Sequence, residues 1–374
     1  MAELNETPRG NRIHIAFFGL RNAGKSTLVN AFTGQQIAIV SDVPGTTTDP
    51  VSKAMEILPL GPCLVTDTAG LDDVGELGEM RIEKTLKVLE TTDIAVWVGE
   101  GLEDWKSRFT VPVLEHRRGD SVEELKKKIA AVKLEERSPG LLDGLVEKGD
   151  RVLCVCPIDE SAPKGRLILP QVQVIRECLD RHVICTVCQV DGLKSLEGLE
   201  GLESFNLVIT DSQAFGEVER VLQTFQISKP SKHPKLTSFS VLFARQKGDL
   251  AEFAKGLKAV GALKDGDLVL VAEGCTHHRQ CNDIGTVKIP KALEKLSGRK
   301  LKFEFASGRS FDVRRAEDVA PYRLVVHCGG CMLTRREMLR RIAVAKEAGV
   351  PIVNYGLVLA MANGIGLESL EGLA

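Results

Sequence analysis

The sequence predicts an α/β chain of three domains, and three observations predict it. Short apolar runs rich in Val, Ile and Phe alternate with amphipathic stretches of helical period along most of the chain. A glycine-rich turn joins the first such run to the first such stretch, as in a strand-loop-helix phosphate site. Two charged, proline-containing segments, "KLEERSPGLLDGLVEKGD" and "SKPSKHPK", divide the alternation into three blocks. A length of 374 residues fits two or three units, since domains usually run about 100–200 residues.

The first block, residues 8–136, supplies "IHIAFFG", "KSTLVNAFTG", "CLVTDTAG", "EMRIEKTLKVLE", "DIAVWVG" and "SVEELKKKIAAV", a strand and helix alternation that implies a largely parallel sheet. The second, 140–230, repeats the theme with "RVLCVCPI", "LILPQVQVIRECLDR", "HVICTVCQV" and "FNLVITDSQAFGEVERVLQTF", without a phosphate loop. Its "LKSLEGLEGLESF" tract reads as a surface turn. The third, 231–374, holds "SFSVLF", the strands "LVLVAEGCTHH", "YRLVVHCGGC" and "VPIVNYG", and the helix "TRREMLRRIAVAKEAG".

With 43% hydrophobic and 27% charged residues and a net charge of -2, the composition is that of a soluble protein with no basic field for nucleic acid. No run of about 18 apolar residues occurs and the N-terminus has no apolar core, so neither membrane spanning nor export is expected and a cytoplasmic location is. Ten cysteines in that compartment are expected to be reduced: buried thiols, metal ligands or catalytic groups.

"GLRNAGKST" places Gly19, Asn22, Ala23, Gly24, Lys25, Ser26 and Thr27 between a strand and a helix. In that setting loop amides surround a β-phosphate, Lys25 neutralises β/γ charge and the Ser26 hydroxyl ligates magnesium. "DTAG" ends the next apolar strand, which suits Asp67 reaching magnesium through water and the Gly70 amide meeting a γ-phosphate. "PGTTTDP" between them offers a threonine hydroxyl that completes the magnesium shell only while the γ-phosphate is present.

These motifs resemble the translation-factor-like GTPases, in particular the branch containing Era and MnmE. The resemblance implies GTP as the nucleotide, Lys25, Thr47, Asp67 and Gly70 as the catalytic set, Thr47 on magnesium, and Asn22 supporting a potassium ion beside the phosphates. Leu71 stands where Ras-like relatives carry a water-orienting glutamine, which implies slow unaided hydrolysis. The Asn-Lys-x-Asp segment that reads guanine in such proteins is missing, for no Asn-Lys dipeptide occurs in the chain. The text passes from "DIAVWVG" to a segment like the family's final strand and helix, so the sheet is expected to be shortened by one strand.

The cysteines separate by setting. Cys154 and Cys156 share one face of a strand, which reads as core packing. Cys185 and Cys188 have C-x-x-C spacing but face opposite ways within a strand. Cys63 and Cys178 read as buried small hydrophobes. "HCGGC", with His327, Cys328 and Cys331, instead leaves a strand for a glycine turn, and "EGCTHHRQC", with Cys275, His277 and His278, follows another strand. If both strands lie in one parallel layer, both groups emerge at its C-terminal edge. A Cys3His zinc site, a three-cysteine iron-sulfur cluster and a Cys328/Cys331 redox dithiol all remain open on this chemistry.

Cys275-x-His277 followed at a distance by His327-Cys328-x-x-Cys331, behind an Era-like domain, resembles the signature of the FeFe-hydrogenase maturation GTPases, the HydF family. The resemblance covers nearly the whole chain and implies a GTPase domain, a dimerisation domain and a cluster-binding domain. It implies that Cys275, Cys328 and Cys331 hold a 4Fe-4S cluster, with His277 and His327 as fourth-position candidates and Cys281 a weaker one. It further implies a homodimeric scaffold that carries a diiron subcluster precursor, received from radical-SAM maturases and delivered to apo-FeFe-hydrogenase. Two rival readings are a ribosome- or tRNA-associated GTPase with a structural zinc module, and a nucleotide-binding scaffold that has lost turnover.

Overall fold

The computed structural model describes residues 7–35, 50–72, 76–134, 139–158, 167–199, 201–228, 234–274, 283–307, 315–330 and 333–364. The chain divides into two compact units, residues 1–137 with 332–337, and 138–331 with 338–374.

In the first unit, β1 (Ile13–Phe18), α1 (Lys25–Thr33), β2 (Val51–Ile57), β3 (Gly61–Asp67), α2 (Glu76–Thr91), β4 (Ile94–Val98), β5 (Val113–His116) and α3 (Val122–Ala130) build one sheet flanked by helices. Its order is β2-β3-β1-β4-β5, and β2 alone runs antiparallel. Side chains alternate across each strand. Ile15, Phe17, Val65 and Val96 therefore meet Leu28, Val29 and Phe32 of α1 and Leu125 and Ile129 of α3. Ala16, Phe18, Ala95 and Trp97 face the opposite side, with Leu71 and with Ile82 and Leu86 of α2. The five-stranded sheet, with β5 directly beside β4 and its helix packed with α1, agrees with the shortened sheet expected from the sequence.

The second unit holds two sheets. β6 (Arg151–Val155), α4 (Leu169–Asp180), β7 (Ile184–Cys188), α5 (Val190–Leu199), β8 (Leu207–Thr210), α6 (Phe215–Ser228), β9 (Lys235–Ser238) and α7 (Phe239–Lys247) form the middle layer. After α8 (Leu250–Ala259) come β10 (Leu268–Glu273), α9 (Ile289–Ser297), β11 (Lys302–Ser307), α10 (Ala316–Val319), β12 (Leu324–His327), α11 (Arg335–Glu347), β13 (Ile352–Asn354) and α12 (Tyr355–Ala362). Both sheets are wholly parallel and share one winding, β7-β6-β8-β9 and β11-β10-β12-β13. In each, the first strand lies between the second and the third, the arrangement that opens a crevice at the strands' C-terminal ends.

Three readings of the sequence are corrected. "LKSLEGLEGLESF" is largely helical, in α5, with Leu193 and Leu202 fully buried, because its leucines recur at helical spacing and pack on β6 and β8. Leu141 and Leu142, read as linker, sit in the middle core, their amides donating to Glu177. In "SFSVLF", Ser238 closes β9 of the middle sheet and caps α7 through the Val241 amide, so the apolar run after it is helix. No described helix is long and apolar enough to cross a membrane.

Candidate functional site

The phosphate loop leaves β1 at Gly19, where an added Cβ would collide with the Val98 carbonyl of β4, and turns through positive φ at Asn22 (62°) and Gly24 (91°). α1 then starts at Lys25, directly after the loop, and no N-cap side chain hydrogen-bonds to its first turn. The Lys25 side chain is buried and its Nζ donates to the Gly19 and Leu20 carbonyls at 3.2 and 2.8 Å. Ser26 Oγ donates to Asp67 Oδ2 at 2.6 Å. Thr27 is exposed in the first turn of α1 and Ala23 packs against the α1 core.

Asp67 is fully buried at the end of β3 and its Oδ1 has no partner. Burial pushes its carboxyl above the usual range, opposed by the Ser26 hydrogen bond and the Lys25 charge. A buried carboxylate oxygen left open beside a serine hydroxyl is a donor set suited to magnesium, which takes few protein ligands and keeps water. Thr68 Oγ1 donates to the Phe17 carbonyl at 2.6 Å and ties the end of β3 to β1. Gly70 lies so close to the loop that a Cβ would sit 2.9 Å from the Arg21 backbone, and the Leu71 amide donates back to the Gly19 carbonyl at 3.3 Å. Gly19, Lys25, Ser26, Asp67 and Gly70 thus converge, while Thr47 lies outside the described residues.

The sulfur groups follow two neighbouring strands. β10 and β12 pair in parallel with Ala272 opposite His327, so Gly274 and Cys328 both follow C-terminal ends at the crevice. The Cys328 amide donates to the Ala272 carbonyl at 2.8 Å. The amide of Gly274 donates to Cys328 Sγ at 3.1 Å. Gly330 turns the chain at φ 63°. Cys275, His277, His278, Cys281 and Cys331 lie outside the described residues, and among the described residues no three His, Cys, Asp or Glu side chains are grouped to hold a metal ion.

His327 is fully buried. Its Nδ1 lies 2.8 Å from the Cys328 carbonyl and its Nε2 2.7 Å from Nη1 of Arg341 on α11. A carbonyl only accepts and a guanidinium only donates, which fixes the tautomer with the proton on Nδ1 and the Nε2 lone pair turned to Arg341. Burial, aided by the Arg341 charge, pulls the imidazolium down to about 3. Arg341 carried no signal in the sequence beyond a charge on a helix.

Residues 141–248 match the family model described as the hydrogen maturase F dimerization domain, and residues 251–371 match the one described as its tetramerization domain. The chain belongs to the hydrogen maturase F family. Residues 14–138 match the model described as a 50S ribosome-binding GTPase, so the chain carries its GTPase domain first. The tRNA modification GTPase MnmE of Zymomonas mobilis is 33% identical over 174 residues, covering 45% of this chain and 38% of that protein. GTPase Der of Xylella fastidiosa is 42% identical over 111 residues, covering 28% and 24%. The chain therefore spans well under half the length of these curated relatives. A solved structure of Era from Aquifex aeolicus aligns at 16% identity over 79% of this chain and 93% of that one, with a TM-score of 0.25.

One cluster in the chain carries no signal in its sequence. Cys154 of β6, Cys178 of α4 and Cys185 of β7 meet on one face of the middle sheet, with Sγ of Cys154 and Cys185 3.8 Å apart. Contact with the Cys154 and Cys178 thiols lowers the Cys185 pKa, while those two thiols are raised by the same contact and by burial. Cys154 and Cys178 are buried and Cys185 is half-buried. Cys188 packs on the other face, as its spacing implied. The signal was tertiary: a helix end brought against a strand by packing.

Proposed function

We propose that the chain is a nucleotide-switched scaffold in FeFe-hydrogenase maturation, with Cys275, Cys328 and Cys331 holding a 4Fe-4S cluster at the β10/β12 crevice. The observation that carries this is the Gly274 amide on Cys328 Sγ, which draws the residue preceding Cys275 onto the first cysteine of the second group. An amide donor on sulfur favours the thiolate that a cluster iron requires. The cluster, when bound, supplies an iron site at which a diiron precursor can be held and released. The chain's own part is to orient thiolates and leave one position open. His327, with both ring nitrogens engaged, is a positioning group under the Cys328 carbonyl, which leaves His277 as the better fourth-position candidate.

The partners of this reading are radical-SAM maturases that load the diiron precursor and an apo-FeFe-hydrogenase that receives it. The assembly is a homodimer through the middle domain, further associated through the third. Support for the dimer includes the edge strand β7, which leaves Ile184 54% and Val187 44% exposed. GTP with magnesium on Ser26, Thr47 and Asp67, and potassium at Asn22, drives the switch. Turnover is slow, because the side chain after Gly70, Leu71, is buried in the core and orients no water.

Anaerobic reconstitution followed by iron and sulfide analysis and EPR tests the cluster: the wild type binds iron and sulfide in cluster proportion, and a Cys328→Ala chain with an unchanged spectrum would overturn the ligand assignment. Stoichiometric zinc in place of iron would favour the ribosome- or tRNA-associated reading instead. Phosphate release with and without potassium separates a working GTPase from a scaffold without turnover.

A further inference from the structure

We infer that the nucleotide site selects on the triphosphate and is indifferent to the base, so that ATP and GTP are bound alike. The inference rests on the reading of residues 19–27 as a phosphate loop. The metal side of that loop is fixed by Asp67 on β3, one strand to one side of β1. The nucleoside must then extend the other way, over the C-terminal ends of β4 and β5. Strands lie about 4.8 Å apart, so β5 stands about 10 Å from the loop, the reach of a ribose and its base. The edge of the base falls on the turn 116–120.

That turn offers nothing that distinguishes guanine. Reading a base edge takes an acceptor or donor that is fixed, desolvated and unpaired until the base arrives. Asp120 Oδ2 instead accepts the Arg117 amide at 2.7 Å, closing its own turn. Glu115 lies 3.5 Å from the Arg117 guanidinium. His116 is buried, and burial holds its imidazole neutral by lowering its pKa. At the end of β4 the Glu100 carbonyl is taken by the Trp97 indole at 3.0 Å, and the Glu100 side chain is exposed, where a flexible carboxylate discriminates weakly. Arg118 remains, an exposed guanidinium that stacks on a purine of either kind.

Competition binding with magnesium tests this, using GTP, ATP and inorganic tripolyphosphate on the full chain. GTP and ATP are expected within about threefold of each other, tripolyphosphate is expected to displace both, and Lys25→Ala is expected to weaken all three together. Ser26→Ala, which leaves the loop backbone intact, is expected to reduce the magnesium dependence of all three and guards against a misfolded lysine variant. A preference beyond about tenfold for either nucleotide overturns base indifference and leaves the phosphate site standing. Failure of all three to bind, or binding that both variants leave unchanged, overturns the phosphate-site reading beneath it.

Discussion

The middle and C-terminal sheets are wound alike and both are rich in cysteine, yet they put the sulfur to different uses. In the middle sheet Cys154 and Cys185 lie inside strands, and Cys178 lies near the end of α4 facing them, so their sulfurs meet in a packed core. In the C-terminal sheet Gly274 and Cys328 come directly after β10 and β12, past the last ladder pair, at the crevice between the sheet's two central strands, and Cys275 follows Gly274 in the sequence. A fully buried thiol within a strand, such as Cys154, is held by its neighbours' packing and fills space. A thiol past the strand end is carried by a turn, and Gly329 and Gly330 let that turn fold. Position relative to the strand end, more than spacing in the sequence, separates the two groups.

The largest expected effect is on metal content. Cys328→Ala should lose most of the iron and sulfide after anaerobic reconstitution, whereas Cys154→Ala should keep both. A Cys154→Ala chain that lost its cluster would erase the distinction between the sheets. Next comes stability, with the order reversed. Cys154→Ser places a hydroxyl among buried apolar groups and should cost about 1–3 kcal/mol of unfolding free energy, while Cys328→Ser, half-buried at a turn, should cost little without the cluster. Urea midpoints of the metal-free chains measure the difference.

Much of this comparison is legible in the sequence, and its limits have physical causes. The strand-to-turn setting of "HCGGC" and "EGC" follows from periodicity, whereas the adjacency of their strands, only a condition in the sequence, comes from the sheet order. The phosphate loop follows from its glycine spacing, since backbone geometry there leaves little choice of residue. Edge strands were harder. β2 buries only Ile57 fully and β11 buries none of its residues fully, so neither shows the alternation that marks a half-buried strand. The Cys154, Cys178 and Cys185 cluster and the Arg341 to His327 bond depend on how a helix docks on the strands next to it in the chain, which sets which side chains meet. No local pattern carries such contacts.

The smallest effect is kinetic and concerns which sulfur in the middle sheet behaves as more than packing. Contact with two buried thiols lowers the Cys185 pKa, and only Cys185 of the three is reached by solvent. A thiol reacts as its thiolate, so an ordinary cysteine with pKa near 8.5 alkylates about tenfold faster for each unit of rising pH below that value. A group whose pKa is depressed is already ionised there, and its rate stops climbing. Iodoacetamide labelling read by mass spectrometry between about pH 6 and 8 should therefore give a nearly flat profile at Cys185, against a steep one for the same cysteine in the urea-unfolded chain. Cys154 and Cys178, raised by that contact and by burial, should label far more slowly throughout. If Cys185 tracks the unfolded profile, the middle sheet's sulfurs are packing alone and the contrast with the β10/β12 crevice becomes complete; if it is flat, the same topology holds a charged thiolate in its interior through two neighbouring thiols, where the crevice uses a backbone amide.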